Sequence, residues 1–295
     1  MPGDEIIVAG QGFHTGTRVV TWLERDGYNG YKVPIPPKAA SKPGAKKSKE
    51  PPPPKGPFYN ERRVAPNGAA VSPDVAGLRA TIDQFVLHYD ECGVSKLCFE
   101  TLQQRGLSVH FLLDIDGTIY QTLDLRERAW HATTSNDRSI GIEIANVGAY
   151  PPGKAQVLSD WYQRKAGGQV RLRIPPDVRD PRIRTPNFVA RPIRPELVRG
   201  QIRGHDLVQY DYTPEQYAAL IKLTAALAQV FPKIRLDCPR DAAGRVVMQK
   251  LPDDALAKFS GVLGHFHIQD NKIDPGPAFQ WDLLINGARK VGKSN

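Results

Sequence analysis

Residues 82–123 read IDQFVLHYDECGVSKLCFETLQQRGLSVHFLLDIDGTIYQTL. Ile82 to Tyr89 holds the apolar run Phe85-Val86-Leu87 and closes on a histidine and a tyrosine, which predicts a buried strand. Ser95 to Arg105 follows as a helix, with Leu97, Phe99 and Leu102 inward and Gly106 free to end it. Val109 to Leu113 and Thr118 to Leu123 then predict two strands joined through Asp114-Ile115-Asp116-Gly117, whose Asp-Gly suits a tight hairpin. Working outward, Ser139 to Ala145 (SIGIEIA) alternates as a central strand does. Thr213 caps a helix with Pro214 in its first turn, and Leu220, Leu223 and Leu227 recur on one face as far as about Val230. Val262 to Ile268 predicts a last strand and Ala278 to Val291 a closing helix. The class is therefore α/β: a single mixed central sheet flanked by helices.

Three parts divide the chain. Residues 1–32 hold two short strand-like pieces, Ile6 to Ala9 and Arg18 to Leu23, too little for a core of their own, so they should pack on the main domain. Residues 33–57 (VPIPPKAASKPGAKKSKEPPPPKGP) are proline and lysine with almost no apolar group after Ile35, a linker composition. Residues 58–295 form the main domain, interrupted by an arginine-rich insertion, 148–212, that reads as irregular. No internal repeat is visible, which removes solenoids and propellers.

The chain has 295 residues, 40 Lys and Arg against 31 Asp and Glu, and a formal charge of +9. That excess favours an anionic partner such as nucleic acid, an acidic membrane or a cell-wall polymer. Nucleic acid is disfavoured, because no aromatic residues interleave with the basic runs and no binding-fold signature occurs. No stretch is long and apolar enough to span a membrane, and Asp4 and Glu5 stand where a secretory leader would carry basic residues. Cys92 and Cys98, six apart, suit either a disulfide, which would mean an oxidising destination, or two small buried thiols. Cys238 reads as structural.

The chemistry concentrates near the end. Gly264-His265-Phe266-His267 is followed by Lys272-Ile273-Asp274-Pro275-Gly276-Pro277, so a histidine, a lysine and a carboxylate fall within ten residues. A catalytic zinc site needs three protein donors and one open position, and His88, His265 and Asp274 would supply them. His265 with His267 is the competing pair, since residues two apart on a strand share a face. The rigid Pro275-Gly276-Pro277 after Asp274 favours the first set, leaving His267 beside the site. Glu143, alone and charged among Ile140, Ile142 and Ile144, shares a strand face with Gly141. Beside a metal it reads as a general base with a raised pKa, and Lys272 as a cation for a developing oxyanion.

His88-Tyr89, Thr101 to Gly106, Ser108 to Phe111, Asp116 to Gln121, Trp130-His131-Ala132, Ser139 to Glu143, Gly264-His265 and Lys272 to Pro277 together resemble the zinc-dependent N-acetylmuramoyl-L-alanine amidases of the type 2 family, which includes phage amidases and animal peptidoglycan recognition proteins. The likeness spans roughly residues 80–147 and 213–285 in the family's order. Each motif alone is weak, and their shared order is specific.

The resemblance implies a Zn2+ cofactor on His88, His265 and Asp274, with Glu143 and Lys272 catalytic. It implies hydrolysis of the amide between the lactyl group of N-acetylmuramic acid and L-alanine of the stem peptide, so the partner is peptidoglycan or a muropeptide. His131, His267, Tyr89 and Asn146 are expected to line the groove or support the ligands, and Cys92 and Cys98 match a disulfide of the recognition proteins. A non-catalytic peptidoglycan-binding module is the alternative, although such members usually lack a zinc ligand. The expected place of action is the cell wall, periplasmic or extracellular, with the export route open and the cytoplasm second. Two departures stand out: Phe266 and His267 follow Gly-His where many members carry serine and aspartate, and the 148–212 span is either a loop wrapped on the surface or a clamp for anionic wall polymer.

Overall fold

In a computed structural model, which describes residues 3–32, 56–65 and 67–294, six strands form one mixed sheet. Their order is Gly261–Gly264, Gln84–Tyr89, Ser139–Ile144, Phe111–Leu113, Ile119–Gln121, Val19–Thr21. The first four run parallel, the Phe111–Leu113 and Ile119–Gln121 pair is the antiparallel hairpin, and Val19–Thr21 adds parallel at the edge. Asp114 and Gly117 close that hairpin, with Gly117 at φ +81°, where other residues are strained.

Alternation divides the sheet into two unlike faces. Phe85, Leu87, Phe111, Leu113, Ile140, Ile142 and Val262 point to one side, all fully buried. Leu220, Leu223 and Leu227 of the helix Pro214–Val230 and Leu284 and Ile285 of the helix Trp281–Ser294 cover them. Each such side chain contributes about 1.5–3 kcal/mol by leaving water, so this face holds the fold together. Thr213 and Gln216 form a reciprocal capping box that starts the first of these helices.

The opposite face carries Val86, His88, Gly141, Glu143 and Leu112. The helix Ser95–Arg105 packs Cys98 and Leu102 against Leu112, Tyr120 and Val20 there, covering part of the face and leaving the carboxyl ends of the parallel strands open. Openings of this kind, at the carboxyl ends of parallel strands, are where α/β sheets bind ligands.

The last strand is shorter than expected. It stops at Gly264, and His265–His267 forms a 3-10 turn, because His267 Nδ1 bends back to accept the Gly264 N–H at 2.9 Å. The span 148–212 is not irregular either. It contains a short helix, Gln156–Trp161, and two hairpins, Tyr162–Arg164 with Val170–Leu172 and Val198–Ile202 with His205–Gln209. These strands are only three to five residues long and largely polar, which hides them from a pattern reading. Two of its arginines fasten it to the rest of the chain: Arg184 donates to Asp26 O and lies over the Tyr120 ring, and Arg194, paired with buried Asp211, donates to Ala278 O. Ahead of the domain, Glu5–Val8 and Gln11–His14 form a hairpin whose Ile6 and Val8 enter the main core. The expected linker lies outside the described residues from 33 to 55.

Candidate metal centre

Register brings the chemistry together. His88 pairs with Glu143 across parallel strands, and Leu87 pairs with Gly264, so His265 leaves its strand beside His88. Asp274 reaches the same point from the following loop. His88 Nδ1 is 3.0 Å from His265 Nδ1 and 2.9 Å from Asp274 Oδ2, and His265 Nδ1 is 3.0 Å from the same oxygen. All three residues are buried.

Tests of fit to a metal turn on the lone pairs. His88 Nε2 faces His131 Nδ1 at 3.1 Å, and His265 Nε2 faces Gln269 Oε1. Holding the ring protons there directs both Nδ1 lone pairs inward, towards a carboxylate oxygen, an arrangement that a cation relieves. Donors about 3 Å apart also approximate one face of a tetrahedron with bonds of about 2.0 Å, whose edge is about 3.3 Å. Two imidazoles and one carboxylate are a donor set of catalytic zinc. These residues fit the ion.

Behind His88 runs a short relay. His131 Nδ1 accepts from His88 Nε2, and His131 Nε2 lies 3.3 Å from Ser139 Oγ. Gly141 makes the room: a Cβ there would sit 2.5 Å from His131 Nδ1. Carboxylate, imidazole or hydroxyl partners of this kind fix the tautomer of a ligand histidine. Burial, then His265, lower the His88 pKa to about 4 against the opposing effect of Asp274, so its ring is neutral and free to bind metal. Burial works against ionisation of Asp274, and the imidazoles of His265 and His88 beside it act the other way and hold its carboxyl below the usual range.

Glu143 stands at the cleft with Oε2 buried and without a hydrogen-bond partner. Burial, then the charges of Asp274 and Asp90, push its carboxyl well above the usual range, while Lys272 acts the other way. Lys272 lines the same cleft, as do Tyr89, Trp130 and His131. The Trp130 indole is held by Asn60 Oδ1 at 2.8 Å.

Other expectations land elsewhere. His267 turns away from the cleft: its Nδ1 accepts from Gly264 and its Nε2 donates to Val247 O at 2.7 Å, so neither nitrogen is free for an ion. Asn146 does not line the cleft, and its side chain instead bonds Tyr210 O, the Gly148 N–H and Gln209. Tyr89 borders the cleft but packs chiefly into the core, against Gly148. Cys92 and Cys98 are free thiols, not a disulfide. The turn built on Asp90 Oδ1 holds Cys92 so that its thiol donates to Thr101 Oγ1 at 3.7 Å.

Pattern reading missed Ser139 and Gln269. Ser139 was accessible through alternation, being on the strand face of Gly141 and Glu143, and Gln269 through its place one helical turn after His265.

A family profile described as N-acetylmuramoyl-L-alanine amidase matches residues 78–277, more than half of the chain and all of the cleft's donors. The chain belongs to the N-acetylmuramoyl-L-alanine amidase family. It is the type 2 amidase family, with its mixed α/β fold. No curated protein sequence matches it. Among solved structures, amidase AmiD from E. coli, in complex with the substrate anhydro-N-acetylmuramic acid-L-Ala-D-gamma-Glu-L-Lys, is 21% identical, with a TM-score of 0.39 over 70% of this chain. This chain spans 57% of the length of that one. AmpD, as its selenomethionine derivative, is 18% identical, with a TM-score of 0.37 over 79% of this chain and 90% of its own. The endolysin amidase LysCS from Clostridium intestinale URNW is 15% identical, with a TM-score of 0.36 over 70% of this chain and 84% of its own. These superpositions are loose, and membership of the amidase family rests on the profile match.

Proposed function

We propose that this protein is a zinc-dependent N-acetylmuramoyl-L-alanine amidase that cleaves the amide between the lactyl group of N-acetylmuramic acid and L-alanine of the stem peptide. The observation that carries this reading is the convergence of three donor atoms, at 2.9–3.0 Å, inside the family-matched span. His88, His265 and Asp274 hold the ion. Zinc bound there polarises a carbonyl and lowers the pKa of water.

Glu143 takes the proton from the attacking water and passes it to the departing alanine nitrogen. Its buried, unpartnered oxygen and raised pKa suit a group that must accept and then release a proton. Lys272 supplies positive charge to the oxygen of the tetrahedral carbon, where a cation fixed in a cleft is most effective. Trp130 and His131 line the same cleft. The place of action is the cell wall, where this amide occurs.

A binding module without activity would not need Glu143, and its presence beside three filled donor positions favours hydrolysis. The test is product analysis on a synthetic N-acetylmuramoyl peptide. Mass spectrometry should find free N-acetylmuramic acid and a peptide with a new L-alanine amino terminus, and intact substrate that nonetheless binds would favour the module.

A further inference from the structure

The span 148–212 ends against the loop that presents Asp274. Gln209, fully buried at the end of the strand His205–Gln209, places its side-chain amide inside the turn Pro275–Ala278. Its Nε2 donates to Pro275 O at 3.1 Å, and its Oε1 accepts the Ala278 N–H at 3.0 Å. Tyr212 adds a second donor to the same Pro275 carbonyl at 2.7 Å. The fit leaves no room for a side chain on Gly276, since a Cβ would lie 2.2 Å from Gln209 Oε1.

We propose that Gln209, supported by Tyr212, is a positioning residue for Asp274. The loop has two anchors. On one side the Asp274 carbonyl accepts the Phe266 N–H at 3.3 Å, within the segment that carries His265. On the other, the amide of Gln209 closes the turn that begins at Pro275, one bond from Asp274. Gln209 also donates to Asn146 Oδ1 at 3.3 Å, and the Asn146 N–H donates to Asp90 Oδ1 at 3.0 Å. Asn146 lies two residues beyond the Glu143 strand and Asp90 two beyond His88, so one amide ties together the segments of all three groups. Only a side chain with both a donor and an acceptor can bridge a carbonyl and an N–H in this way. The end of the arginine-rich span is then a brace for the centre. This rests on the reading of His88, His265 and Asp274 as zinc ligands.

The experiment measures zinc affinity, by competition with a chromogenic chelator, alongside the melting temperature of metal-free protein. Gln209→Met keeps the bulk and loses all three side-chain bonds, and Tyr212→Phe removes a single hydroxyl should the first variant not fold. Thr224→Val, which loses a buried bond inside the helix Pro214–Val230, is the stability control. Gln209→Met and Tyr212→Phe should weaken zinc binding on the order of tenfold, as loss of outer-sphere support does, with Thr224→Val within twofold of the parent. Zinc affinity falling no further in the two variants than in Thr224→Val overturns the positioning role. Failure of the parent protein to bind zinc overturns the ligand reading, and the proposal with it.

Discussion

His88 and His265 meet Nδ1 to Nδ1 at 3.0 Å, two ring nitrogens whose outer partners leave both lone pairs facing inward. Without a cation that contact is repulsive, so zinc should stabilise the fold. At free zinc one hundred times its dissociation constant, linkage gives about 2.7 kcal/mol. Calorimetry with and without zinc should show the melting temperature rise, and His88→Ala should abolish the rise.

Glu143→Gln preserves shape and removes the proton carrier. Turnover should fall by about a hundredfold to ten-thousandfold, with zinc affinity unchanged. Equal loss of both would mean that Glu143 holds the metal instead.

Gly141→Ala drives a methyl group into His131, which orients His88 from behind. Zinc affinity should drop on the order of tenfold and stability by about 1–3 kcal/mol. An unchanged chelator-competition curve would show that His131 does not orient the ligand.

His267 is buried and neutral, its pKa lowered by burial to about 4 from 6.5. The unfolded chain takes up a proton at this residue below pH 6.5 and the folded chain does not until about pH 4. Stability from this group is therefore full above pH 6.5 and is lost as pH falls towards 4, by about 1.4 kcal/mol per unit. Asparagine can still accept the Gly264 N–H but cannot titrate. Urea unfolding of metal-free protein should find His267→Asn less stable at pH 7 and its stability less steeply dependent on pH between 6.5 and 4. Parallel pH profiles would count against a structural His267.

The main sheet and both covering helices were legible because their apolar residues recur with the period of a strand or helix over long runs, as in Gln84–Tyr89 and Pro214–Val230. His88, His265, Asp274 and Glu143 were legible through their motifs, and the structure brings their side chains to one cleft. His267 was ambiguous for a local reason: its ring bonds the backbone three residues earlier, which ends the strand and turns the side chain away. Gln209 could not be read, and Asn146 was expected at the groove without its partner, because the bonds from Gln209 to Pro275 and Asn146 span 66 and 63 positions and no local pattern encodes them. The short hairpins of the 148–212 span were hidden for the same reason, since tertiary packing rather than alternation sustains them.

Zinc titration of metal-depleted protein, with hydrolysis of the N-acetylmuramoyl–L-alanine amide as the readout, tests the central claim most directly. Activity should be absent after depletion, return in proportion to added zinc and saturate at one equivalent, with no recovery in His88→Ala. Hydrolysis that persists in fully depleted protein, or that survives in His88→Ala, would contradict it.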